Sequence, residues 1–308
     1  MINVRLLWIV CLAFISTAAA SAQDIEPIEG IGPAGPLEVV HDGFRFTEGP
    51  AADAQGRLYF TDVFGGRIHR AQPGSEVHTV LEKSQGANGL MFDAKGRLFA
   101  CQGGPGRIVT VDVETGEMTP FVEQYNGKAF NRPNDLVVDS HRGVYFTDPR
   151  FGAGKQDAAA FYYASAEGVV TRLGDDLNFP NGIILSPDES TLYVLPYQSS
   201  KVMAYPVEAP GKIGDGKILC ETQPRPDGKP TGGDGLTVDT KGNLYLTVPA
   251  IKAIQVVSAE GETLGMLNLP KAPSNCAFAG PDMQTLYITA RNVVYALPMQ
   301  ATGHRFGG

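Results

Sequence analysis

The chain has no run of lysine or arginine, and its 25 basic residues are outnumbered by 33 acidic ones, for a formal charge of −8. Nucleic acid is bound through clustered positive charge, so it is excluded as a partner. Charged residues make up only 19% of the sequence, too few for a disordered or coiled-coil chain. Cysteine is scarce, with 4 in 308 residues. Cys11 falls in the N-terminal leader, and Cys101, Cys220 and Cys276 contain no C-x-x-C pair, which removes a disulfide framework and a zinc knuckle. The 5 histidines show no paired spacing, which disfavours a His-rich zinc centre. There is no Gly-x-Ser-x-Gly elbow, and Gly103-Gly104-Pro105-Gly106 lacks the Gly-Lys-Ser/Thr of a phosphate loop. No segment keeps a helical period of 3.6, so an all-β chain is expected.

The first 22 residues stand apart. Arg5 precedes an apolar stretch from Leu6 to Ile15, and Ala20-Ser21-Ala22 is a small-x-small cleavage site. This pattern predicts a signal peptide over residues 1–22, with no bilayer contact once it is removed, since no later apolar run approaches ~18 residues. The mature protein is then exported, to the periplasm of a Gram-negative source and otherwise secreted. Residues 23–36, rich in proline and glycine, read as a flexible arm. The spacing leaves the oligomeric state open.

What the chain does have is a repeat. Glu48-Gly49, Asn88-Gly89, Asn134-Asp135, Asn181-Gly182, Asp234-Gly235 and Asn275-Cys276 each open an apolar run, at separations of 40, 46, 47, 53 and 41 residues. Most continue into Asp-x-x-Gly-x-Leu-Tyr-Phe or a near copy, as at Asp53, Asp93, Asp139 and Asp239. Alternating β-branched and aromatic runs bounded by Gly, Pro and Asp predict strands, and Phe44-Arg45-Phe46 reads as strand as well. Four strands per unit at this period predict a six-bladed β-propeller over residues 37–300, followed by a tail at 301–308. The last repeat has three clear strands, and Leu37–Val40 is expected to supply the fourth and close the ring, which leaves no open edge.

The residue that opens each inner strand should then lie at the mouth of the central channel. Asn-Gly and Asp-Gly are also ordinary turn dipeptides, but six residues in one phase, Glu48 among them, point to a shared role. All six carry side-chain oxygen, two as carboxylates and four as amides. Hard cations take such ligands, Ca²⁺ foremost, which binds about 6–8 oxygens.

Thr47-Glu48-Gly49-Pro50, Asn131-Arg132-Pro133-Asn134-Asp135, Tyr145-Phe146-Thr147-Asp148-Pro149, Phe179-Pro180-Asn181-Gly182-Ile183 and Gly233-Asp234-Gly235-Leu236 resemble the gluconolactonase family, which includes regucalcin. The resemblance spans about residues 37–298 and implies a six-bladed propeller with one divalent cation at its axis. It implies Glu48, Asn134, Asn181 and Asp234 as metal ligands and Asp234 as general base or nucleophile. Arg132 and Asn134 are implied as substrate contacts, and Asn88 and Asn275 complete the ring on the substrate side. The cation is expected to be Ca²⁺, with Zn²⁺, Mg²⁺ and Mn²⁺ as alternatives. The activity implied is hydrolysis of a sugar lactone or a similar small lactone or ester. Phosphotriester hydrolysis and a non-catalytic periplasmic binding propeller with a structural calcium are the competing readings. The sequence departs from the family pattern at Gly233, in place of a proline, at Cys101–Arg107, and in the long link from Pro206 to Gly233.

Overall fold

Each repeat is shaped first by a turn built on an aspartate, Asp-x-x-Gly in blades one, two and five. Asp53 Oδ1 accepts the backbone N–H groups of Gln55 and Arg57, and Asp93 Oδ1 those of Lys95 and Arg97. Gly56 sits at φ 77°, a conformation that strains any L side chain. Arg57 and Arg97 then return to the same carboxylates, and at Asp239 the amide of Asn243 takes that place. Asp188 and Asp282 hold the corresponding turns of the fourth and sixth repeats through the N–H groups of Ser190 and Gln284. The turn reverses the chain, and the apolar runs on either side pair as antiparallel strands.

The structure, a computed structural model, describes residues 25–72 and 74–306, so the leader read as a signal peptide at 1–22 lies outside the described residues. The strands form six sheets. Blade one comprises Thr47–Ala52, Leu58–Asp62, Arg67–Ala71 and His78–Leu81, and blade two Ala87–Phe92, Leu98–Gln102, Arg107–Val111 and Met118–Val122. Blade three comprises Leu136–Val138, Val144–Asp148, Ala160–Ala164 and Val170–Gly174. Blade four comprises Pro180–Leu185, Thr191–Pro196, Lys201–Ala209 and Lys217–Glu221, and blade five Leu236–Val238, Leu244–Val248, Ala253–Val257 and Thr263–Asn268. Blade six has Asn275–Ala279, Thr285–Ala290 and Val293–Pro298, and its outer strand is Glu38–Asp42, paired antiparallel to Val293–Pro298. The predicted closure by the N-terminal strand is what the structure shows. The first strands pack neighbour to neighbour in ring order, the sixth against the first, so the chain is a six-bladed propeller.

Between blades the second strands bury their aromatic pairs. Tyr59, Phe60, Phe99, Tyr145, Phe146 and Tyr245 are all essentially inaccessible. The one helical turn among the described residues is Pro249–Ile251.

Some expectations need correcting. Phe44-Arg45-Phe46 joins no sheet, because the N–H groups of Arg45 and Phe46 are taken by the Asp62 carboxylate. The leader read as a flexible arm at 23–36 is docked over its described part: Ile25 and Ile31 are buried in the core of the closing blade, and Ile28 packs against that core. Ile31 O accepts the N–H groups of Gln300 and Ala301, and Ala34 N–H reaches Pro298 O. The long link from Pro206 does not all stand on the rim. Its first part extends the third strand of blade four into a hairpin with Lys212–Ile213, whose Gly211 N–H reaches Tyr145 Oη in blade three. The tail is held as well, since His304 N–H donates to Val238 O and Arg305 to Asp53 O on the turn side.

Candidate active site

A closed circle of hydrogen bonds fixes the residues that open the inner strands. Thr61 Oγ1 donates to Asn88 O, Gly89 N–H to Asn134 O, Thr147 Oγ1 to Asn181 O, and Gly182 N–H to Asp234 O. Thr247 Oγ1 and Gly235 N–H both donate to Ser274 O, and Ser274 Oγ closes the circle on Thr47 O. The glycine that follows four of the six ring residues accords with this. A Cβ on Gly182 would lie 2.5 Å from Asp234 O, and one on Gly235 would lie 2.0 Å from Asn275 Cγ.

Over this circle opens a cavity of about 410 Å³, and Glu48, Asn88, Arg132, Asn134, Asn181 and Asp234 all face it. The structure therefore brings together six of the seven residues that the sequence nominates. The seventh, Asn275, was expected among the substrate contacts but lies beneath the cavity. Its Oδ1 accepts Cys276 N–H, and its Nδ2 donates to Asp135 Oδ2 at 3.3 Å. Another cavity, about 300 Å³, lies at the turn end of the axis, walled by Phe92, Phe278, Met283 and the tail residue Phe306. No ring residue reaches it.

Asp135 is the residue that sequence reasoning passed over. It occupies the position held by glycine in four of the six repeats, and its buried carboxylate projects under the ring, 6% exposed. The signal was available as Asn134-Asp135 where Asn-Gly prevails.

Three buried carboxylates thus share the axis. Burial pushes Asp135 up to about 7. Burial also raises Glu48 well above the ordinary carboxylate range, and the charges of Asp234 and Asp135 raise it further. Asp234 is raised by burial and then by Asp135, against a hydrogen bond from Asn181. Such shifts mark negative charge packed without enough positive charge to offset it.

Arg132 takes part in no ion pair among the described residues. Its backbone N–H is held by Asp148, whose own carboxyl burial pushes up to about 6, and its guanidinium lies over the Phe151 ring at 5.1 Å. Cys276 and Cys101 are buried, and burial pushes both thiols up, so neither is a ready nucleophile.

The donor set suits a hard divalent cation. Among the described residues no three His, Cys, Asp or Glu side chains could hold a metal by themselves, so a cation here would need the amides of Asn134 and Asn181 as well. Asn88 Oδ1 is buried with no hydrogen-bond partner, an acceptor oxygen left open beside them. Carboxylate and amide oxygens without imidazole or thiolate match Ca²⁺ or Mg²⁺ better than a soft metal.

Comparison with known proteins gives the family of the chain. The family model described as the SMP-30/Gluconolactonase/LRE-like region matches residues 46–292. The chain is similar to the gluconolactonase of Zymomonas mobilis, with 31% identity over 84% of this chain and 80% of that protein. It is also similar to the pentonolactonase of Haloferax volcanii, with 28% identity over 82% of this chain and 83% of that one. Among solved structures, a gluconolactonase of Xanthomonas campestris superposes with a TM-score of 0.79 and 28% identity, covering 91% of this chain and 98% of that one. The chain belongs to the SMP-30/Gluconolactonase/LRE-like family.

Proposed function

We propose that this protein is a lactonase that uses a divalent cation, Ca²⁺ by preference, held by Glu48, Asn134, Asn181 and Asp234. The observation that carries the reading is the convergence of these four residues, from four different blades, on one cavity in which burial raises Glu48 and Asp234, Asp234 and Asp135 raise Glu48 further, and Asp135 raises Asp234. When bound, the cation would polarise the ester carbonyl and lower the pKa of a water molecule. Asp234 serves as the general base: it takes one proton of the attacking water as the water oxygen bonds to the acyl carbon. The acyl carbon–ring oxygen bond breaks, the proton passes to the departing alkoxide, and the product is a hydroxy acid. Arg132, held over Phe151, presents positive charge to the carbonyl side and to the carboxylate product. Export through residues 1–22 is part of the same proposal.

The test is hydrolysis of glucono-1,5-lactone by the mature protein, chelator-treated and then supplied with Ca²⁺, Zn²⁺, Mg²⁺ or Mn²⁺, with spontaneous opening subtracted. Turnover lost with chelator and restored by one of these metals is the expected result. Turnover that ignores chelator would remove the cation from the reading. The aromatic wall of the cavity is the one observation that favours the phosphotriesterase reading, and a phosphotriester belongs in the same assay.

A further inference from the structure

Three large aromatic side chains stand exposed among the described residues, and all three surround one opening. Phe64 is 57%, Phe151 49% and Tyr197 44% exposed, and each lines the cavity above Glu48 and Asp234. The remaining exposed large apolar residues, Val39, Val169, Ile218 and Leu264, are aliphatic and scattered along outer strands or beside them. The aromatic residues form a collar. Phe64 packs on Phe46 at 5.2 Å, Phe151 meets Phe179 edge-on at 4.6 Å, and Phe179 lies 6.0 Å from Tyr197. Phe64, Phe151 and Tyr197 stand just after the second strands of blades one, three and four, in the loops on the cavity side.

Rings held in water at a cavity mouth are unfavourable unless something covers them, and a contiguous apolar patch there marks a ligand surface. Above the oxygen ring, to which Asn88 belongs, the side chains with polar groups that line the cavity are Arg132, Gln198 and Tyr197. An unsubstituted sugar lactone carries a hydroxyl on nearly every carbon. A site that selects such a molecule supplies hydrogen-bonding partners for those hydroxyls, because each one buried without a partner costs binding. This wall offers aromatic faces instead.

We propose that the preferred substrate is a lactone fused to, or carrying, a flat apolar group of aromatic size, with the ester directed to Asp234 and the apolar body gripped by Phe64, Phe151, Phe179 and Tyr197. The inference rests on the lactonase reading and names its substrate class. The collar, on this view, sets specificity, while the axial residues set the chemistry.

The experiment compares two six-membered lactones, 3,4-dihydrocoumarin and glucono-1,5-lactone, in wild type, Phe151→Ala and Phe64→Ala. Both positions are exposed, so truncation leaves the core intact. Wild type is expected to show a kcat/KM at least about tenfold higher for the aryl lactone, and each variant to lower the ratio of the two by about tenfold, mainly through KM. Binding of 2-tetralone, a ketone that the enzyme cannot hydrolyse, is measured alongside by calorimetry and is expected to weaken at least about fivefold in each variant. A preference for gluconolactone, or equal loss on both lactones, overturns the collar assignment while leaving a lactonase. Absence of turnover on either lactone, with 2-tetralone still bound through the collar, overturns the lactonase reading and with it the substrate class. Turnover confined to a phosphotriester does the same.

Discussion

Each inner strand of the propeller has a carboxylate or an amide at both ends, and the two ends use them differently. On the turn side Asp53, Asp93 and Asp239 are 4%, 4% and 1% exposed, and on the cavity side Glu48, Asp135 and Asp234 are 4%, 6% and 9% exposed. Burial is therefore nearly equal. These three turn-side carboxylates are each surrounded by two backbone N–H groups and an Arg or Asn side chain from the same turn, whereas Asp139 of blade three accepts the Gly143 N–H and is raised by burial. The cavity-side carboxylates face one another, and their protonation is shifted upward. A buried charge that is fully hydrogen-bonded builds the fold. A cluster of buried charges left short of partners, as at the cavity end, is where the proposed cation would be held.

Removing one charge from the cavity side is the most forceful way to test this contrast. Asp234→Asn is expected to lower kcat by at least about a thousandfold, the usual scale for loss of a general base combined with a disturbed metal site. The same substitution should leave the chelator-treated protein as stable as wild type or more so, because it deletes a buried charge that lacked an offsetting partner. Steady-state kinetics and thermal melts of the purified variant measure both. A variant that retained lactone turnover would end the case for Asp234 as the base.

Much of this was legible in the sequence because it repeats. The phase of Glu48, Asn88, Asn134, Asn181, Asp234 and Asn275 locates the inner strands, and the missing outer strand of the last repeat points to closure at Leu37–Val40, which overlaps the observed Glu38–Asp42. What does not repeat was harder to read. Asp135 hid in the position after the phase residue, where small residues prevail for steric reasons. Asn275 has the right phase, but its amide turns to Asp135 and Cys276, a preference decided by neighbours from other blades. Residues 23–36 carry a Pro/Gly composition that suggests a free arm. The apolar spacing Ile25, Ile28, Ile31 is what docks their described part, and composition alone conceals it. Phe64, Phe151 and Tyr197 lie in loops that differ from blade to blade, so repeat arithmetic carries no information about them.

A second test uses protons in place of mutations. Asp135 titrates near 7 in the folded chain against about 3.9 when unfolded, and Asp148 near 6, while Glu48 and Asp234 are raised as well. Between these limits the folded chain holds protons that the unfolded chain has already released. Their contribution to stability is complete below about pH 4 and is lost as pH rises through the folded values near 6 and 7. The chelator-treated protein should therefore melt at lower temperature at pH 8 than at pH 5.5. On the proposed reading added Ca²⁺ would replace protons at the axis, so its stabilising shift should be larger at pH 8. Scanning calorimetry at the two pH values, with and without Ca²⁺, measures this. A calcium shift equal at both values would mean that the axial carboxylates are already ionised without metal.

The smallest expected effect comes from the turn side and has the opposite sign. Asp93 Oδ1 accepts the N–H groups of Lys95 and Arg97, and its other oxygen pairs with the Arg97 side chain, which is itself 43% exposed. Asn in its place keeps the size and one acceptor oxygen but weakens the charge-assisted bonds and turns an NH₂ group toward Arg97. Solvent screens the ion pair, so the cost is about 1 kcal/mol, which lowers Tm by about 2–4 °C in a domain of this size. The Ca²⁺-induced rise in Tm and the kcat on gluconolactone should match wild type, since the turn lies at the far end of the strand from the cavity. Asp93→Asn and Asp234→Asn thus make the same chemical change at similar burial. If both lowered stability alike, the distinction between the two ends would reduce to burial alone. If the first costs stability and spares turnover while the second abolishes turnover without that cost, the state of hydrogen bonding, and not burial, separates structural from functional carboxylates in this propeller.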